Sequence, residues 1–157
     1  MDSDQAQPYA PRKPAKPPSR AKIGEQALPL QKSRLSSELE ALRAVSKRTF
    51  ACDDRMAVNT FLGAIFNQVT QWDAEDRLEE GLYRLLDALK APVPLRIGEA
   101  FAVAIYCLAP SVDDKRRSKW ARALRFAAAN KPADESIKQF IERKGGINAC
   151  ATAYAQS

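Results

Sequence analysis

The sequence predicts an all-α protein, a compact bundle of about six or seven helices over residues 34–157 preceded by a disordered Pro/Lys/Arg-rich tail over residues 1–33. Three observations predict it. From Leu35 onward, large apolar residues recur three or four positions apart, the spacing that lines one face of a helix. Pro92, Pro94, Pro110 and Pro132 and the pair Gly145-Gly146 break that pattern at intervals suited to helix ends. No stretch alternates with period two, the pattern of a half-buried strand. At 157 residues and 45% hydrophobic composition, the chain supports one core and not two.

The tail holds six of the ten prolines, and six basic residues against three acidic ones. Proline lacks an amide donor and fixes φ, so the segment 14–18 favours extended, polyproline-like backbone. That backbone keeps Arg12, Lys13, Lys16, Arg20 and Lys22 solvated as a secondary basic arm. Helix A is expected at 37–50, capped by Ser36 or Ser37, with Leu35, Leu39, Leu42 and Val45 along its apolar side. Asp53 or Asp54 caps helix B at 54–71, and its broad apolar face, from Val58 through Val69, makes it the central helix.

Trp72-Asp73 is read as the turn into helix C, 74–91, whose stripe is Leu78, Leu82, Leu85, Leu86 and Leu89. Asp73, Glu75, Asp76, Glu79 and Glu80 are placed near its start, where carboxylates meet unpaired N–H groups. They read as capping charges, since an acid–base pair needs an apolar cleft to separate the two pKa values. Helix D, 95–109, is the most apolar and is expected to be the most buried. Asp113 or Asp114 caps helix E, and Pro132 ends it. Helix F, 133–144, closes at Gly145-Gly146, and a short helix G spans 147–155.

Composition excludes several function classes. With no histidine, the commonest general base and the usual activator of Ser or Cys nucleophiles are missing. No paired-cysteine spacing builds a zinc site, and no Gly-rich run precedes a Lys-Ser or Lys-Thr pair as a phosphate loop requires. The expectation is therefore no enzyme, no metal and no cofactor. Cys52, Cys107 and Cys150 are odd in number and far apart, which argues against a disulfide framework and for a reducing, cytoplasmic setting. Cys150, near a helix start and following Lys144, is the one thiol worth testing, although a small buried apolar side chain on a short helix is the favoured reading. No run approaches the ~20 apolar residues of a membrane-spanning helix, and the acidic, Pro-rich N-terminus carries no secretory pattern.

The net charge of +6 is localised. Residues 113–131, DDKRRSKWARALRFAAANK, hold seven Lys or Arg against two Asp, whereas residues 34–112 and 132–157 together hold 12 basic and 14 acidic residues. At about 100° per residue, Lys115, Lys119, Arg122 and Arg125 share an arc with Phe126, beside Arg116, while Trp120, Leu124, Ala127 and Ala128 lie opposite. Such an arc neutralises phosphates, and an aromatic within it stacks on an exposed base. Lys115, Arg116, Lys119, Arg122, Arg125 and Phe126 are the candidate nucleic-acid-binding residues.

At the C-terminus, ESIKQFIERKGGINACATAYAQ, residues 135–156, resembles the front part of a Fis-type helix-turn-helix, with its helix, Gly-Gly-Ile-Asn turn and Ala-rich second helix. In that family a third helix follows and enters the major groove. The resemblance does not reach that helix, so it implies a packed helix pair without a sequence reader. Two functions follow from the whole reading. One is a non-enzymatic nucleic-acid-associated protein that binds the phosphate backbone with little sequence specificity. The alternative is a protein-interaction module, a regulator, adaptor or exported effector with a Pro-rich docking tail, whose partner is an acidic or helical protein.

Overall fold

The computed structural model describes residues 21–52, 54–89 and 99–157, with side chains described from Ser33 onward. Arg12, Lys13, Lys16 and Arg20, the side chain of Lys22, the two prolines after helix C and the first part of expected helix D lie outside the described residues. Among the described residues there are seven helices and no strand. They are α1 (Ala21–Ala51), α2 (Arg55–Ala74), α3 (Leu78–Leu89), α4 (Ala100–Leu108), α5 (Asp114–Asn130), α6 (Ile137–Arg143) and α7 (Ile147–Gln156). Residues Arg34–Ser157 form one compact unit, and none of the described helices is long and apolar enough to cross a membrane.

The helix order is as expected, and the differences lie at helix ends. Helix α1 begins at Ala21 rather than 37, so Ser36 and Ser37 are interior positions. Ala, Gln, Leu and Lys, all good helix formers, fill much of 21–33. Helix α2 runs on through Trp72 to Ala74 and ends where Asp76 takes a left-handed φ of 59°. There Arg77 N–H donates to Trp72 O at 2.8 Å and Asp76 N–H to Asp73 O at 3.2 Å, the paired bonds of a Schellman end. Of the five carboxylates expected at the start of helix C, only Glu79 and Glu80 lie in the first turn of α3. Helix α6 starts at Ile137 instead of 133 because Ser136 and Gln139 form a capping box, with Ser136 Oγ accepting the Gln139 N–H at 3.3 Å.

Helix α2 is central, packing against α3, α4, α5 and α6 and burying Phe61, Leu62, Ile65, Phe66, Val69 and Trp72. Helix α4 contributes Val103, Ala104, Ile105 and Leu108 to the same core. With Leu85 only 2% and Ile105 0% exposed, Leu85→Ala or Ile105→Ala is expected to cost on the order of 2–5 kcal/mol in urea unfolding. A cost below about 0.5 kcal/mol would contradict these core positions.

One polar cluster ties the start of the unit to the α2–α3 turn. Trp72 Nε1 donates to Glu38 Oε2 at 2.8 Å, and Arg77 reaches both Glu38 (3.0 Å) and Glu75 (2.9 Å). Arg34 bonds Glu75 at 2.8 Å. Hydrogen bonds from Gln71, then Arg34 and Arg77, hold the Glu75 carboxyl at about 2 instead of its ordinary 4.5. Burial pushes Glu38 up, but bonds from Arg77 and Trp72 and the nearby guanidinium charges outweigh it, so its pKa is also lowered. Both carboxylates have folded pKa values below their unfolded ones, so their stabilisation is present above 4.5 and is lost as pH falls below it, for Glu75 toward about 2. Across that window Glu75→Gln is expected to flatten the fall of the urea midpoint with acidity, and a slope equal to wild type would contradict the assignment.

Candidate functional site

Helix α5 is set by its ends. Asp113 caps it by accepting the Arg116 N–H at 2.9 Å, a bond that leads the lowering of the Asp113 pKa. Trp120, Ala123, Leu124 and Ala127 are buried against the core and fix which side faces out; Ala128, expected on that apolar face, is exposed in the last turn.

The basic residues divide into two groups. Lys115 and Arg116 are exposed, and Lys119 and Arg122 are half-buried along the outer side of the helix. Arg116 lies 4.0 Å from Asp113. Among the described residues, Lys115, Lys119 and Arg122 make no ion pair with a carboxylate. Arg125 is drawn out of the arc: its guanidinium pairs with Glu99, lies 5.5 Å above the Tyr154 ring and donates to the Tyr154 hydroxyl at 3.3 Å. Phe126 is half-buried against Phe140, with ring centres 5.8 Å apart, and Lys144 Nζ sits 5.9 Å from its centre. Phe126 thus serves the α5–α6 contact rather than standing free among the cations.

Sequence reasoning missed the neighbour of this face. A cleft of about 1170 Å³ opens between the end of α1, the start of α2, the start of α5 and the α6–α7 turn. Arg116 and Lys119 line it from α5, Arg55 from α2, and Phe50 from α1. The Phe50 ring packs edge-on against Phe61 at 5.2 Å and stacks on Trp120 at 6.5 Å, yet the residue remains 37% exposed. The far wall is the turn Gly145-Gly146, with φ of 92° and 101°, which only glycine adopts without strain. Gly146 N–H bonds Ile141 O at 2.8 Å and Gly145 N–H bonds Glu142 O at 3.1 Å, so α6 also ends in a Schellman motif.

Cys150 is a small buried side chain on its short helix, as its favoured reading has it. Cys150 is fully buried and burial pushes its pKa up, partly countered by the Lys144 charge; Cys107 is buried and pushed up to about 11. Both are protected as thiols, and the exposed cysteine is Cys52, beside the cleft.

No family model, curated protein or solved structure matches this chain. What the site does must follow from its own residues. Lys115, Arg116, Lys119 and Arg122 stand on one helix, and Arg116 and Lys119 also line a cleft whose wall includes the partly exposed Phe50.

Proposed function

We propose that this is a non-enzymatic, nucleic-acid-associated helical protein that binds the phosphate backbone through α5 with little sequence specificity. The observation that supports it is the row Lys115, Arg116, Lys119 and Arg122 on the outward side of a helix whose opposite side is locked into the core. Cations fixed on a rigid element meet phosphates at little ordering cost, and each contact releases condensed counterions. Spacing along α5 singles out no side chain as a reader of base edges, so binding is expected to vary little with sequence. A reducing, cytoplasmic setting is consistent with three free cysteines, and the reading calls for no cofactor.

Fluorescence-anisotropy titration of the full chain with labelled duplex DNA, single-stranded DNA and RNA at two salt concentrations tests this reading. Binding that weakens with salt is the expected result. An acidic or helical protein is the competing partner, favoured by the exposed apolar residues Phe50, Met56 and Tyr83. Absence of binding to all three nucleic acids would overturn the first reading and select the second.

A further inference from the structure

Building on that reading, we infer that the α5 site takes single-stranded nucleic acid, with one base stacked on Phe50 inside the cleft and neighbouring phosphates held by Arg116, Lys119 and Arg55. All four residues line one cleft, and at about 1170 Å³ it exceeds the size that a nucleotide needs. Phe50, a residue 37% exposed at the wall of a cleft that also carries Arg55, Arg116 and Lys119, offers what a base requires, an aromatic side chain beside phosphate-binding charge. The face is held in place: Phe61 supports the ring edge and Trp120 lies behind it at an interplanar angle of 22°. A duplex keeps its bases stacked inside and presents only phosphates to such a recess, whereas a single strand supplies unstacked bases.

Three carboxylates, Asp54, Asp113 and Glu142, line the cleft beside its three cations, so its formal charge balances and recognition rests on where each charge is placed. Asp54 is engaged at the start of α2, accepting the Met56 N–H at 2.9 Å, and Asp113 is engaged in the same way at the start of α5. Each carboxylate is thereby tied to helix N–H groups. Glu142 is the lining carboxylate with no such role among the described residues.

The test compares a labelled oligothymidylate with an abasic strand of equal length and charge, titrated into the full chain at one fixed low salt concentration. Wild type is expected to bind the base-bearing strand roughly five- to a hundred-fold more tightly. Phe50→Leu, which keeps apolar contact with Phe61 but has no ring, is expected to erase that difference while leaving abasic binding unchanged. Unchanged abasic affinity also reports that the variant is folded. Equal affinity of wild type for the two strands overturns the base-stacking inference and leaves backbone binding intact, and this comparison needs no variant. A preference that survives Phe50→Leu overturns the role of Phe50, and failure of both strands to bind overturns the underlying reading as well.

Discussion

Trp72→Ala is expected to lower stability by about 3–5 kcal/mol, read from urea or thermal unfolding. Trp72 is among the largest fully buried side chains and is 0% exposed, so its loss leaves a cavity at the junction of α2 with α3. It also removes the indole N–H that donates to Glu38, a partly buried carboxylate that then depends on Arg77 and Arg34 alone. A partner substitution makes the claim sharper. A Cβ placed on Gly81 would meet Trp72 ring carbons at 2.4, 2.6 and 2.7 Å, so glycine is needed there for close approach of α3 to the indole. Gly81→Ala is therefore expected to cost about 1–3 kcal/mol in the wild-type background through overpacking. With Trp72→Ala present, the clash is gone, and Gly81→Ala is expected to be neutral or to stabilise by up to about 1 kcal/mol through helix propensity. Additive costs would contradict the contact, since residues that share a clash must couple.

Much of this fold was legible because the core-forming residues announce themselves by spacing. The stripe Leu78, Leu82, Leu85, Leu86, the broad face of α2 and the glycine pair after α6 each specify a helix or its end through local chemistry. The misread ends had two causes. Ser136-Ile137-Lys138-Gln139 is a capping-box pattern that was available and that places the start of α6, whereas expected helix F began at 133, directly after Pro132. Asp76 closing α2 in a left-handed conformation was harder to see, because Asp there reads equally well as a cap for the next helix.

For the site, the arc on α5 followed from angular spacing alone, and its outward direction from the apolar residues opposite. The fate of Arg125 and Phe126 did not, because Glu99, Tyr154 and Phe140 come from other parts of the chain and their approach is decided by packing. The cleft was likewise illegible, since it joins three segments distant in the chain, 49–59, 111–120 and 141–148. One hint was present: Asp54-Arg55 and Asp113 with Arg116 both set a cation just inside a capped helix start, and both helix starts border the cleft.

The second large effect is expected from Lys115→Gln, Arg116→Gln, Lys119→Gln and Arg122→Gln combined. Arg125 is left intact because its pairing with Glu99 and Tyr154 makes it part of the scaffold. The four substituted side chains lie at exposed or half-buried positions, so the variant should melt close to wild type. Each lost phosphate contact removes about 0.7 from the slope of log K against log salt for a single strand, so loss of all four lowers its magnitude by up to about 3. Loss should be similar for every sequence, because phosphate contacts carry no base information.

That salt titration, run side by side on the wild-type chain and this fourfold variant with a labelled single strand, is the most direct measurement of whether α5 is the binding surface. A steep wild-type slope that collapses in a folded variant is the predicted result. An identical slope in the two proteins would contradict the account and move the binding charge away from α5.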